Sequence, residues 1–128
     1  MKALLTIVLG AALSIPDTRA QRIAFTPVVR DVPLVLDKTF VLGDQGPVTI
    51  TQFKFYVGQF TFYRAGKPLV YDHSYYLIDA ADTTTFDVGT VFRPTPIDSV
   101  SFLLGVDSLT NVSGVFGGDL DPIKGMYW

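Results

Sequence analysis

Val48-Thr49-Ile50-Thr51-Gln52-Phe53-Lys54-Phe55-Tyr56-Val57-Gly58-Gln59-Phe60-Thr61-Phe62-Tyr63-Arg64 is the stretch on which the reading of the fold turns. β-Branched and aromatic residues dominate it, and they alternate with polar ones at the period of two expected of a half-buried strand. Phe53, Phe55 and Val57 fall on one face, while Phe60 and Phe62 fall on the other, so the phase slips at Gly58-Gln59. A β-bulge there would restore the phase, because one extra residue flips every later side chain to the other face. Covering both faces over part of the strand would also account for the pattern, and both readings stand.

On either side the same grammar continues. Arg22 to Val29 and Leu34 to Leu42 read as strands, and Gly43-Asp44-Gln45-Gly46-Pro47 reads as a turn. Arg64-Ala65-Gly66-Lys67-Pro68 closes a hairpin, from which Leu69 to Asp79 returns as a strand. Phe86 to Phe92 is a shorter strand, Arg93-Pro94-Thr95-Pro96 a rigid connector, and Ile97 to Val106 a further strand. Six or seven short strands without helical patterning between them predict an antiparallel β-sandwich of Greek-key type. A parallel sheet would need crossover helices. From Gly105 onward, five glycines punctuate a long loop bearing Asp107, Asn111, Asp119 and Asp121.

The first twenty residues are of another kind. Lys2 precedes an uncharged apolar run from Ala3 to Ile15, and small residues stand at Thr18 and Ala20. These are the parts of a secretory signal peptide. The run is too short for a membrane-spanning helix, which needs about 20 residues. Residues 1–20 are therefore expected to be a signal peptide, and residues 21–128 the exported domain, 128 − 20 = 108 residues long. With no cysteine, neither an acyl anchor nor a disulfide framework is available, so stability rests on packing of 10 Phe and 6 Tyr. No insertion of the exported chain into the membrane is expected. A net charge of −2 has the wrong sign for binding nucleic acid.

Nucleophile elbows, phosphate loops and zinc motifs are absent from the sequence, which argues against an enzyme. Asp107, Asn111, Asp119 and Asp121 offer hard oxygens suited to Ca²⁺, although the spacing is not that of an EF-hand. The same residue types also hold irregular loops together by accepting from nearby backbone N–H groups. Asn111-Val112-Ser113 fits a glycosylation acceptor by pattern alone, and Lys54 and Arg64 read as solvated strand positions. Tyr63, Tyr71 and Tyr75 would form an aromatic patch if exposed, suited to a protein or glycan partner in a non-catalytic interaction module.

Phe53-Lys54-Phe55-Tyr56-Val57-Gly58, Tyr76-Leu77-Ile78-Asp79 and Ser101-Phe102-Leu103-Leu104-Gly105-Val106-Asp107 occur in that order. They are followed by Asn111-Val112-Ser113-Gly114, Gly118-Asp119-Leu120-Asp121-Pro122 and Gly125-Met126-Tyr127-Trp128. In this the chain resembles the MbnP-like copper-binding family of bacterial periplasmic and cell-envelope proteins. The resemblance implies an exported β-sandwich of a Gram-negative cell envelope, with copper as its metal and a di-haem, peroxidase-like protein as its partner. In related copper-binding proteins that partner oxidises a tryptophan, which then contributes to a Cu(I) site. By resemblance Trp128, the sole tryptophan, is the candidate; packing at the edge of the core is its structural alternative. Family members continue past the last block, so the chain is expected to be a fragment lacking its last strands.

A copper site would draw on His73, the sole histidine, flanked by Asp72 and Ser74. Imidazole suits copper, and a neighbouring carboxylate can orient the ring. A solvent-facing strand residue is the alternative. A second ligand would come from Met126, whose thioether is soft enough for Cu(I), or from beyond residue 128.

Overall fold

The structure is a computed structural model that describes residues 20–92, 96–114 and 117–126. Most of the expected signal peptide, the Arg93–Thr95 part of the connector, and Trp128 lie outside the described residues. Nine strands follow one another within them: β1 (Ala20–Ala24), β2 (Val28–Val29), β3 (Val32–Pro33), β4 (Thr39–Val41), β5 (Pro47–Thr49), β6 (Lys54–Arg64), β7 (Lys67–Asp79), β8 (Asp87–Phe92) and β9 (Ser99–Leu104). Every pairing is antiparallel. One short helix, α1 (Ser108–Ser113), and 3₁₀ turns at Gly118–Leu120 and Pro122–Lys124 follow β9. No helix among the described residues is long and apolar enough to cross a membrane.

The expected all-β sandwich is what the chain forms. A three-stranded sheet in the order β7-β6-β9 makes one layer, and the β1–β8 ribbon lies across it as the other. The chain leaves the first layer after β7, pairs β8 with β1, and returns to the first layer at β9. Between the layers, Val57, Phe60, Phe62 and Ile78 form the buried cluster, against which Ile23, Phe25, Phe86, Val88 and Ile97 pack. The Gln21 side chain extends this junction: its Oε1 accepts from Ile97 N at 2.8 Å and its Nε2 donates to Ile97 O at 2.9 Å. One amide thus mimics a ladder residue and ties the ribbon to the entry of β9.

Both readings of the β6 phase slip hold, each for a different part of the strand. The register against β7 shifts between Gly58 and Phe60, and Gln59 carries φ +53°, so a bulge brings Phe60 and Phe62 onto the face of Val57. Just before the bulge, Tyr56 and Val57 are both buried. The outer face at Tyr56 is covered by the Gly118–Leu120 turn, whose Asp119 carbonyl accepts from the Tyr56 hydroxyl at 3.0 Å. The β6–β7 hairpin closes through Ala65 and Gly66 at φ +49° and +74°, the two positive values that a two-residue turn of matching twist demands.

Several boundaries differ from the sequence reading. Arg22–Val29 is not one strand: Phe25–Pro27 interrupts it, and Pro27 has no N–H to continue a ladder. Leu34–Leu42 is broken by a turn at Leu36-Asp37, where Asp37 has φ +62°. Ile50–Phe53 separates β5 from β6. The stretch after Gly105 holds α1, too short to show periodicity and made by its caps instead. Asp107 accepts from Thr110 N at 2.9 Å at the start, and Gly114 ends the helix in the left-handed region.

Candidate functional site

His73 lies on the outer strand β7, exposed, opposite the bulge in β6. Its ring stacks on Tyr71, with centroids 6.3 Å apart and planes 7° from parallel. Nδ1 lies 3.3 Å from Gln59 Oε1. From Gln59 the polar contacts run inward: Nε2 donates to the Tyr75 hydroxyl at 3.2 Å, and that hydroxyl donates to Asp107 Oδ2. Asp107 also takes hydrogen bonds from Thr110 Oγ1 at 2.6 Å and Thr110 N at 2.9 Å. One file of side chains therefore leads from the exposed imidazole to the cap of α1.

Gly58 makes that file possible. The Tyr75 ring lies across it so closely that a Cβ at residue 58 would stand 2.5 Å from Tyr75 Cδ1 and 2.7 Å from the Ser74 carbonyl oxygen. Only a residue without a side chain lets Tyr75 cross β6 and reach Asp107. Gln59 belongs to this arrangement and was not singled out from the sequence. The phase slip at Gly58-Gln59 was the available signal, but a bulge alone does not say where the extra side chain points.

Asp107 is held well below the usual aspartate range, to about 2, by hydrogen bonds from the Thr110 side chain, the Tyr75 hydroxyl and the Thr110 backbone. Burial pushes Asp72 up, but hydrogen bonds from Tyr76 (2.6 Å) and Ser74 (2.9 Å) outweigh it and lower its pKa. Tyr76 is raised by burial and by that same contact with Asp72. A depressed carboxyl contributes stability that is present above its unfolded value, near 3.9, and is lost as pH falls toward the folded one. For Asp107 the window runs from about pH 4 down to about pH 2. Asp107→Asn keeps a capping oxygen without the titration. Urea unfolding across that window should show a shallower decline for Asp107→Asn than for the unchanged protein; equal slopes would remove Asp107 from the acid response.

The four loop-oxygen candidates do not converge. Asp107 caps α1. Asp121 Oδ1 accepts from Ile123 N at 3.0 Å in its own turn. Asp119 Oδ2 accepts from Leu77 N at 3.0 Å, pinning the turn to β7, while Asn111 is exposed on α1. Three of the four make the backbone hydrogen bonds of loop construction. Among the described residues no three His, Cys, Asp or Glu side chains come together as a metal group.

Met126 is part of a different feature. It lines an apolar cleft of about 600 Å³ with Phe53, Phe55, Leu104, Val106 and Leu120. Lys54 at its edge is engaged: Nζ is 3.0 Å from Asp79 Oδ2 and donates to the Lys124 carbonyl at 3.2 Å. Lys54 is thus no freely solvated strand position, whereas Arg64 is exposed and donates to Pro96 O at 2.9 Å. Met126 lines this cleft with residues 53–56 of β6, whereas His73 lies against Gln59 at the bulge. His73 is not among the residues that line the cleft. Of the three tyrosines considered as a patch, Tyr71 alone is exposed. Tyr63, within 3.2 Å of Ser101 Oγ, and Tyr75 are half-buried.

No curated protein and no solved structure matches the chain. The profile of the MbnP family matches residues 18–128, which takes in all of β1 to β9 and the capped turns that follow. On that match the chain belongs to the MbnP family.

Proposed function

We propose that this protein is an exported copper-binding protein of the bacterial cell envelope, which holds and carries the metal without turnover of its own. A di-haem, peroxidase-like protein is the partner that this reading implies. Family membership supports the choice of copper. The observation that carries the assignment to a residue is His73: an exposed imidazole, steadied on one side by Tyr71 and at Nδ1 by Gln59, with Nε2 unengaged among the described residues. Imidazole is a good donor to copper, and a metal-binding histidine is ordinarily held through its other nitrogen. By family resemblance Trp128, which lies outside the described residues, is the candidate for a further ligand.

A Cu(I) titration of the exported chain against a chromophoric competing chelator tests this. Stoichiometric uptake is expected. His73→Ala should weaken it by more than about a hundredfold, beyond what loss of an outer-shell contact does. Met126→Ala should stay within about twofold, since Met126 lines a cleft among whose lining residues His73 is not found. Equal losses in both variants would make Met126 a second ligand, no loss in either would place the copper elsewhere, and no competition at all would sink the copper reading.

A second reading, a non-catalytic interaction module for a protein or glycan, has one observation in its favour. Tyr71 is 59% exposed and Leu69 is 41% exposed on the outer strand β7, which is an apolar edge of the kind that partners cover. It becomes the stronger reading if the titration shows no copper uptake.

A further inference from the structure

The contacts that hold His73 have a direction. Asp107, with its lowered pKa, is a carboxylate that can only accept, so the Tyr75 hydroxyl donates its hydrogen bond to Asp107 Oδ2. The Tyr75 oxygen then has lone pairs to offer, and it accepts from Gln59 Nε2 at 3.2 Å and from Asp107 N at 3.4 Å. With its NH₂ group turned toward Tyr75, Gln59 must present its carbonyl to the imidazole, where Oε1 stands 3.3 Å from Nδ1. A carbonyl oxygen accepts and does not donate, so Nδ1 carries the hydrogen. In the neutral ring the lone pair is then on Nε2.

We propose that Gln59 is a positioning residue that sets the tautomer of His73, holding the hydrogen on Nδ1 so that Nε2 faces outward as the donor nitrogen. The backbone is consistent with a specific purpose here. Gln59 has φ +53°, a region that non-glycine residues occupy at a cost, and glycine or asparagine would be the ordinary choice. Keeping a glutamine in the bulge puts an amide at the one point where it reaches both His73 and Tyr75. Gly58 leaves room for Tyr75, whose hydroxyl accepts from the amide, and Asp107 terminates the file on the cap of α1.

The tautomer assignment stands on its own, while its consequence for the metal rests on the copper reading above. The test uses the ¹⁵N shifts of the His73 ring in the metal-free exported chain, in alkaline buffer. His73 is the sole histidine, so the signals need no assignment. The expected result is a protonated Nδ1 and an unprotonated Nε2. Gln59→Gly accepts the left-handed backbone without strain, so it should fold, yet it should lose the preference for Nδ1–H. Tyr75→Phe cuts the file one step further in and should weaken the preference. Gln59→Gly should also lower Cu(I) affinity by roughly tenfold, as loss of an orienting contact does.

A ring protonated on Nε2 in the unchanged protein, or an unchanged tautomer in Gln59→Gly, would overturn the proposal. If the tautomer responds to Gln59 but no copper binds, the positioning role stands and the copper reading falls. If copper binds through His73 with no tautomer preference, the reverse holds.

Discussion

Replacing Phe60 with alanine is expected to lower the melting temperature by more than about 12 °C, the largest effect of any single change considered for this chain. Phe60 is 2% exposed at the centre of the sandwich. Its ring stacks on Phe62 at 6.2 Å and Phe102 at 5.6 Å, and meets Tyr76 at 5.9 Å and Phe25 at 6.4 Å. These partners come from β6, β7, β9 and the segment after β1, so one side chain joins both layers. Truncating a buried phenylalanine costs about 3–5 kcal/mol in lost transfer energy and cavity. A domain of about 100 residues loses about 4–8 °C per kcal/mol near its midpoint and holds roughly 5–15 kcal/mol in all. With no cysteine in the chain, no disulfide limits the loss. Thermal unfolding followed by circular dichroism measures it. A shift under about 5 °C would mean that Phe60 is not the joint between the layers.

Gly58→Ala is expected to cost about 1–3 kcal/mol by overpacking. The Cβ would meet two kinds of neighbour. The Tyr75 ring, 2.5 Å away, can swing aside at the expense of its bond to Asp107, but the Ser74 carbonyl, 2.7 Å away, is backbone of the paired strand and cannot. β6 and β7 must therefore move apart at the bulge. Urea unfolding should show the loss, and amide exchange should rise along Gly58–Phe62 and Asp72–Tyr76. In a Tyr75→Ala background the same substitution should cost less but still be measurable, because the carbonyl contact remains. A neutral Gly58→Ala would contradict the close crossing of Tyr75 over β6, and with it the support behind Gln59.

Much of the architecture was legible in residue order. The alternation in β6 and its slip at Gly58-Gln59, the Ala65-Gly66 hairpin, the tyrosine-rich run of β7 and the alternation in β9 are local signals, and local sterics and side-chain alternation enforce them. The breaks at Phe25–Pro27 and Leu36-Asp37 carried local signals, Pro27 and Asp37, but the β-branched and apolar residues on either side masked them. α1 escaped because six residues are fewer than two helical turns, and its stability comes from the Asp107 cap and the Gly114 stop.

The site divides along the same line. His73 stood out as a lone imidazole, and Asp107, Asp119 and Asp121 as loop acids, because residue type alone marks chemical capacity. Pairing His73 with Met126 was a statement about space that composition could not make: Met126 lines a cleft among whose lining residues His73 is not found.

By itself, the sequence determined the strand-rich class, the turns at residues 43–47 and Ala65-Gly66, and the stock of donor atoms, all of which follow from local backbone preference and side-chain chemistry. Only the tertiary structure decided which of those atoms meet. A single inserted residue in β6 turns Gln59 toward His73 and Tyr75, and Gly58 clears the space for Tyr75 to reach Asp107. Contacts between strands depend on register and on the absence of one Cβ, and neither is a property of any residue taken alone.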